Sequence, residues 1–234
     1  MTTTPPVRRV TWPRCHRIIA SNHPPIDLFE DVADPADWEA LVSLESKSNP
    51  RVLENVGALA LVPRQRRVSG PGASWAMAPF VHVSPRWAGR FHDGRFGAYY
   101  AGESFETAVA ESAFHRARFY RASGQDEGWF SQYRELVAAL DAELHDLRDA
   151  PGFEAVLDPD AWGASQELAR ALRERGSDGI CWPSVRRPGG ECLAAFWPDV
   201  VGRPRQGRHL GFHFDGERVD LVRDERSGAV WRLS

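Results

Sequence analysis

The sequence is poor in cysteine and contains no long apolar run. Cys15, Cys181 and Cys192 are the three cysteines among 234 residues, and they form no CxxC pair. An odd number of cysteines cannot all pair within one chain, which favours a reducing compartment. No segment approaches the roughly 20 apolar residues of a membrane-spanning helix, and no apolar stretch follows the first basic residues as in a secretion signal. We therefore expect a soluble, cytoplasmic protein that does not bind a membrane.

The sequence also lacks an excess of positive charge. Its formal net charge at pH 7 is −3, and Lys47 is its only lysine, so arginine carries almost all of the positive charge. Direct binding to nucleic acid normally requires a basic surface that neutralises phosphates. We therefore expect no direct binding to nucleic acid.

Several motifs that would announce a function are missing. There is no GxGxxG or Walker loop, which argues against a Rossmann-type nucleotide site, and no GxSxG nucleophile elbow. Cys181 lies between Ile180 and Trp182 in an apolar segment, which predicts a buried, inert thiol. His209 and His213 lie on a predicted strand, where their spacing does not converge on one ion. We therefore predict no metal site.

The length and the apolar content fit one domain. With 42% hydrophobic residues the chain can bury a proper core, and its length lies near the upper end for a single domain. We predict one domain over residues 1–234. Within it, we expect residues 1–12 to be loose, and the mixture of arginine, glycine, serine and proline over residues 63–79 predicts a surface loop.

Strands and helices alternate irregularly in the predicted secondary structure. Strands are expected over residues 16–20, 98–101, 135–140, 180–182 and 193–197, and turn signals at Asp215-Gly216 and Ser227-Gly228 predict a β-meander at the end of the chain. Helices are expected after three N-cap residues, which are Asp34, Ser104 and Asp160, and the last two helices should end at Gly124 and Gly176. This pattern predicts the α+β class, with mixed α/β elements.

Three polar residues are spaced so that they could meet in one cleft. Arg90 lies in the glycine-flanked loop of residues 89–94, Tyr100 lies on the next predicted strand, and Glu111 lies in the middle of the next helix. An arginine fork matches a diphosphate, a tyrosine can stack on nicotinamide or bind ribose, and a carboxylate can stabilise an oxocarbenium ion. Taken singly, each residue is more often an ordinary surface or core residue. Together they indicate a site for a dinucleotide with a cationic ring.

This run resembles the core of the RES family, in which an arginine loop, a tyrosine on the next strand and a glutamate in the next helix recur in this order. Other segments of the chain resemble the family as well: His16-Arg17-Ile18-Ile19, Pro24-Pro25-Ile26, Leu28-Phe29-Glu30, Ser48-Asn49-Pro50-Arg51, and the run from Asp178 to Arg186 that contains Ser184. The resemblance spans most of the chain. Each motif alone is weak, and their joint order makes the match fairly specific.

The resemblance implies an ADP-ribosyltransferase-like core with a split β-sheet and flanking helices. It also implies cleavage of NAD⁺ at the nicotinamide–ribose bond by phosphorolysis or hydrolysis, with no cofactor besides NAD⁺ as the substrate and no metal. By position, Arg90 would bind the phosphates, Tyr100 would contact nicotinamide or ribose, and Glu111 would support the ribosyl cation.

Three further residues are expected to bind the substrate. Ser184 would hold nicotinamide or ribose, and Arg17 would be a second basic contact, although it could equally tie its strand to Glu30. His92 stands where the family usually has asparagine, so it must replace any bond that asparagine makes. Arg95 is the alternative to Arg90 as the catalytic arginine, and we prefer Arg90 because of its spacing to the tyrosine and the glutamate.

The resemblance also implies a biological setting. RES proteins are toxins of toxin–antitoxin pairs, so the expected partners are NAD⁺, inorganic phosphate as one acceptor and an Xre-like antitoxin, and the setting allows a homo-oligomer within the antitoxin complex. Two alternatives stay open. One is a mono-ADP-ribosyltransferase that modifies a specific protein. The other is an inactive NAD-binding or interaction module whose partner surface includes Trp75 and Trp87.

Overall fold

The computed structural model describes residues 4–21, 38, 57–85 and 88–233. Within these residues the elements, in chain order, are β1 (Val7–Ala20), α1 (Ala73–Val81), β2 (Tyr99–Gly102), α2 (Phe105–Ala122), β3 (Gly128–Asp146), α3 (Gly163–Glu174), β4 (Gly179–Pro183), β5 (Glu191–Ala195), β6 (Arg205–Phe214), β7 (Val219–Asp224) and β8 (Val230–Arg232). The α+β class is confirmed. No helix in this part of the chain is long and apolar enough to cross a membrane.

The β-sheet is split into two parts. Strands β2, β5 and β4 pair antiparallel in one part, and β1, β3, β6, β7 and β8 pair antiparallel in the other. The two parts join at one β1–β2 pair, His16 with Gly102, and at a short parallel β3–β4 contact, where His145 pairs with Ile180. The predicted split sheet and the terminal β-meander of β6, β7 and β8 are therefore confirmed.

The three helices cover the sheet through separate apolar clusters. Met77 of α1 packs in a cluster with residues of β1 and β3, Leu172 of α3 packs with residues of β4 and β5, and Val109 of α2 packs with residues of β6 and β7. Apolar burial of this kind supplies most of the stability of a domain.

Two helices begin and end largely as predicted. Ser104 is the N-cap of α2, since its side chain accepts a hydrogen bond from the Thr107 N–H, and Gly124 follows the helix with a φ of 62°. Gly176 follows α3 with a φ of 82°. The prediction that Asp160 is the N-cap of α3 was wrong. The helix begins at Gly163 after Trp162, and the Asp160 N–H instead donates to the Asp158 carboxylate in the preceding turn.

The prediction that residues 1–12 are loose was wrong for residues 7–12. They form the first half of β1 and pair in register with β3, from Val7 opposite His145 to Trp12 opposite Leu140. Alternation explains this part of the strand, because Val10 and Trp12 are buried while Thr11 between them is exposed.

The prediction that residues 63–79 form a surface loop was also wrong for residues 73–79. After a short 3₁₀ turn at Arg64–Arg66 and an irregular stretch over residues 67–72, the chain forms α1, and Ala73, Met77 and Phe80 of this helix are buried. Of the helix predicted after Asp34, Trp38 alone lies among the described residues, where it is helical and buried. The rest of that helix lies outside them.

Candidate active site

Arg90 is buried at 8% exposure and is held by backbone carbonyls. Its Nη1 donates to the carbonyl of Val156 at 3.2 Å and to that of Asp158 at 2.7 Å. Both acceptors are neutral, so the charge of the guanidinium is not cancelled by this contact. Burial lowers the pKa of Arg90, the negative charge of Glu111 opposes that shift, and the positive charge of Arg186 adds to it.

Tyr100 fastens the arginine loop to β2. Its hydroxyl accepts a hydrogen bond from the Phe91 N–H at 2.8 Å, so the hydroxyl proton is left to donate elsewhere. Gly89 is required beside it, because a Cβ there would lie 2.8 Å from the Tyr100 hydroxyl and 2.7 Å from Nε2 of His92. Gln166 of α3 donates to the Gly89 carbonyl at 2.9 Å and holds the loop from the other side.

Glu111 and Ser184 form the closest polar pair of the site. Ser184 Oγ donates to Oε1 of Glu111 at 2.6 Å, and the Cys192 thiol lies 3.6 Å from the same oxygen. In the described part of the chain, no donor forms a hydrogen bond to Oε2 of Glu111. The pair joins the middle of α2 to the residue that follows β4, and the Arg186 N–H fixes the serine by donating to its Oγ at 3.2 Å.

Aromatic rings pack against one another around Tyr100. Trp182 packs edge-on against Phe91, with ring centroids 4.6 Å apart, and against Tyr100 at 6.2 Å. The ring of His92 lies 5.8 Å from that of Tyr100. His92 Nδ1 and Trp182 Nε1 are buried and have no hydrogen-bond partner in the described part of the chain. Burial lowers the pKa of His92, which keeps its imidazole neutral near pH 7.

The structure brings together most of the predicted site residues: Arg90, Tyr100, Glu111, Ser184 and His92. Arg17 reaches the site from β1, where its Nη1 donates to the Tyr100 carbonyl at 3.1 Å and its guanidinium lies 4.9 Å from the Tyr99 ring centroid. Its alternative partner Glu30 lies outside the described residues, as do the family-like segments at residues 24–30 and 48–51.

Arg95 is placed differently from Arg90. Its side chain is 75% exposed and lies 3.5 Å from the Asp93 carboxylate. An exposed arginine already paired with a carboxylate is a poor candidate for binding a substrate phosphate. The geometry therefore favours Arg90, as its spacing in the sequence does.

Sequence reasoning missed Gln166, the two carbonyls that hold Arg90, and Arg186. Gln166 lies on a helix far along the chain, and the arginine-binding carbonyls of residues 156 and 158 leave no sequence signal. Arg186 could have been identified from the sequence, because it follows Ser184 by two residues in the family-like run and is the third residue after β4.

Two cavities, of about 310 and 350 Å³, are lined by other residues than these. The arginines that line them already form ion pairs: Arg66 with Asp178 and Asp199, and Arg148 with Glu191. Neither cavity therefore offers an unpaired cation to an anionic substrate. In the described part of the chain, no group of three or more histidine, cysteine, aspartate or glutamate side chains could hold a metal ion.

Burial of Cys181 is confirmed. Desolvation raises the pKa of its thiol to about 12, so it is not a reactive thiolate near neutral pH. His209 and His213 both lie on β6, also as predicted, and His213 pairs with Asp220 at 2.7 Å. Trp75 is half-buried on α1, and Trp87 lies outside the described residues.

Similarity to known proteins identifies the family of this chain. The RES domain family matches residues 64–215. The chain is 29% identical over 210 residues to the uncharacterized protein y4oC of Sinorhizobium fredii (strain NBRC 101917 / NGR234), a match that covers 88% of this chain and 85% of that protein. Among solved structures, a chain of the M. tuberculosis MbcT-MbcA toxin-antitoxin complex is similar over 90% of this chain and 87% of that chain, with 13% sequence identity and a TM-score of 0.46. Since the family match covers more than half of the chain and includes Arg90, Tyr100, Glu111 and Ser184, this protein belongs to the RES domain family.

Proposed function

We propose that this protein degrades NAD⁺ by cleaving the bond between nicotinamide and ribose. The observation that carries the proposal is the Ser184–Glu111 hydrogen bond of 2.6 Å, next to a buried Arg90 that is held by neutral carbonyls. A fixed carboxylate and a guanidinium that contacts no carboxylate, close to a group of aromatic rings, suit a substrate that carries a cationic ring at one end and a diphosphate at the other.

Glu111 has the main chemical role in this proposal. Nicotinamide leaves from a cationic linkage without needing protonation, so the site needs mainly to stabilise positive charge that grows on the ribose. A carboxylate held in place before the reaction does this without reorganisation. Ser184 acts by orienting the carboxylate through Oε1, which leaves Oε2 for the ribose or for the attacking acceptor.

Arg90 and Tyr100 position the substrate. The carbonyls of Val156 and Asp158 fix the arginine through Nη1, so its other N–H groups remain for a phosphate oxygen. The Tyr100 ring lies beside Trp182, where it can stack on nicotinamide or donate its hydroxyl proton to a ribose oxygen. His92 contributes Nδ1, a buried ring atom that a substrate group can satisfy.

The proposal includes the biological setting of the family. An enzyme that consumes NAD⁺ would stop growth, so it acts as the toxin of a toxin–antitoxin pair and requires an inhibitory partner. The family points to an Xre-like antitoxin that covers the cleft. The acceptor is water or inorganic phosphate.

The test is NAD⁺ loss with product identification by mass spectrometry. The purified full chain and Glu111→Ala, prepared in parallel, are incubated with NAD⁺ in a phosphate buffer and in a phosphate-free buffer. Loss of NAD⁺ that requires Glu111 supports the proposal. ADP-ribose 1″-phosphate as the product identifies phosphorolysis, and free ADP-ribose identifies hydrolysis. Equal loss with Glu111→Ala, or no loss in either buffer, contradicts it. Radiolabel from NAD⁺ that appears on a protein would instead identify a mono-ADP-ribosyltransferase.

A further inference from the structure

Arg186 forms a second cationic contact at the same cleft. Its guanidinium stacks 3.4 Å from the ring centroid of Phe114, one helical turn after Glu111 on α2. Its Nη2 donates to the Pro159 carbonyl at 2.8 Å. Both contacts fix the planar group without neutralising its charge.

Arg90 and Arg186 both donate hydrogen bonds to the short loop of residues 156–159. The acceptors of Arg90 are the carbonyls of Val156 and Asp158, and the acceptor of Arg186 is the next carbonyl, that of Pro159. Among the residues that the structure describes, neither arginine lies within 4.0 Å of a carboxylate as an ion pair, in contrast to Arg66 and Arg148. The charges of Arg90 and Arg186 therefore repel each other, and neither guanidinium has a carboxylate in direct contact, although the charge of Glu111 acts on Arg90 from a longer distance.

The nearest acidic groups are already engaged. Glu111 accepts the hydrogen bond from Ser184. The Asp158 carboxylate accepts hydrogen bonds from the N–H groups of Asp160 at 2.8 Å and Ala161 at 3.0 Å, which close its own turn. Desolvation of the His115 ring, and then the charges of Arg186 and neighbouring arginines, lower the pKa of that histidine to about 4, so it adds no positive charge near pH 7.

We propose that Arg186 and Arg90 together form a subsite for a phosphoryl group, which Arg186 binds with the free edge of its guanidinium. Paired planar forks at one loop match the oxygens of a tetrahedral phosphate, and an anion bound there would be in direct contact with both cations, as no carboxylate of the described residues is. The phosphoryl group comes from the diphosphate of NAD⁺ or from inorganic phosphate as the acceptor. This inference rests on the proposed function for its turnover assay, whereas the binding assay below does not.

The turnover assay uses Arg186→Ala, Arg186→Lys and the matched control Arg187→Ala, which removes the same charge one residue further along the chain. A charge-assisted hydrogen bond changes affinity by about 10- to 100-fold. We therefore expect Arg186→Ala to raise the KM for NAD⁺ or the half-saturating concentration of phosphate by that factor. Arg186→Lys should recover part of the loss, and Arg187→Ala should stay near wild type. A raised KM for NAD⁺ in phosphate-free buffer assigns the subsite to the diphosphate. A raised half-saturating phosphate concentration at saturating NAD⁺ assigns it to the acceptor.

A second assay measures pyrophosphate binding to the same proteins by calorimetry and needs no turnover. We expect pyrophosphate to bind wild type and Arg187→Ala equally well and Arg186→Ala about 10-fold or more weakly, and this result supports the subsite. If the same proteins consume no NAD⁺, the subsite still stands and only the proposed function fails. Unchanged pyrophosphate affinity in a folded Arg186→Ala protein overturns the inference. So does a change confined to the thermal midpoint, because it would make Arg186 only a clamp for the loop.

Discussion

Among single residues, the first question is which arginine binds the substrate. Arg90 is buried and held by carbonyls, whereas Arg95 is exposed and paired with Asp93. We expect Arg90→Ala to raise the KM for NAD⁺ about 10- to 100-fold, because it removes a charge-assisted contact. Arg95→Ala should stay within about twofold of wild type, since exposed ion pairs contribute little. Steady-state kinetics of the two variants decides between them, and full activity in Arg90→Ala would sink the assignment.

Ser184 is expected to act on turnover through Glu111. Ser184→Ala removes the hydrogen bond to Oε1 and leaves the carboxylate free to rotate. We expect kcat to fall about 10- to 100-fold with little change in KM, because the ground-state contacts of the substrate remain. Ser123→Ala is a matched control, since it removes a hydroxyl that bonds only to backbone carbonyls at the end of α2. A normal kcat in Ser184→Ala would show that the serine does not position the glutamate.

Much of the site could be predicted at this scale, and some of it could not. The order and spacing of Arg90, Tyr100 and Glu111 indicated one cleft because a loop, a strand and a helix follow each other closely in the chain. The neutral carbonyls that hold Arg90 lie 66 and 68 residues further along the chain, and a backbone carbonyl has no sequence signature. Such contacts arise only when the tertiary structure brings the segments together.

At the scale of elements, strands and helices with regular apolar spacing were predicted well. β4, β5 and α2 have clear apolar runs or a clear N-cap, and their positions agree with the structure. The start of β1 was missed because arginines occupy its exposed positions and obscure the alternation. α1 was missed because Pro79 lies inside it and glycines precede it, which are signals typical of a loop.

The burial of α1 gives a direct test of that correction. Met77 has 0% exposure, so Met77→Ala should lower the free energy of unfolding by about 2–5 kcal/mol. Leu61 is 36% exposed in an earlier 3₁₀ turn at Leu59–Leu61, and Leu61→Ala should cost less than about 1 kcal/mol. Denaturant unfolding measures both values. Equal, small losses would mean that residues 73–79 lie on the surface after all.

At the scale of the whole molecule, buried ion pairs should make stability depend on pH. Asp146 has 2% exposure, and although burial opposes its ionisation, hydrogen bonds from Arg148 hold its pKa below the ordinary range. In Glu135, burial likewise opposes ionisation, and the hydrogen bond with His16 lowers the pKa. A carboxyl whose pKa is lower in the folded state than in the unfolded state binds fewer protons when folded. Its stabilisation is therefore complete above the unfolded pKa of about 4 and is lost as the pH falls below it.

We therefore expect the free energy of unfolding to fall as the pH drops below about 5. Asp146→Asn should be less stable than wild type at pH 7 and should show a shallower decline in acid, because one of the responsible groups is gone. The exposed Asp126 provides the control Asp126→Asn, which should follow the wild-type curve. Denaturant unfolding across pH 3–7 measures this, where the range is set by the ordinary carboxyl values of about 4. Parallel curves for Asp146→Asn and wild type would contradict the role of Asp146.

The split sheet explains why the site needs the whole fold. Arg90 and Tyr100 belong to the loop and strand before α2, Glu111 lies on α2, and Ser184 follows β4, so the cleft forms only when α2 packs beside the small sheet. The sequence predicted the members of this cleft. It could not predict how the two parts of the sheet meet, because the joining pairs, His16 with Gly102 and His145 with Ile180, are backbone contacts between distant segments.

The central claim is that Glu111 carries the chemistry, and Glu111→Gln tests it most directly because the amide keeps the shape and removes the charge. The measurement is nicotinamide release from NAD⁺ by wild type and by this variant, together with calorimetric binding of ADP-ribose to both. The account predicts a kcat about 100-fold or more below wild type, with ADP-ribose affinity within a few-fold. Normal nicotinamide release by a folded Glu111→Gln protein would contradict it.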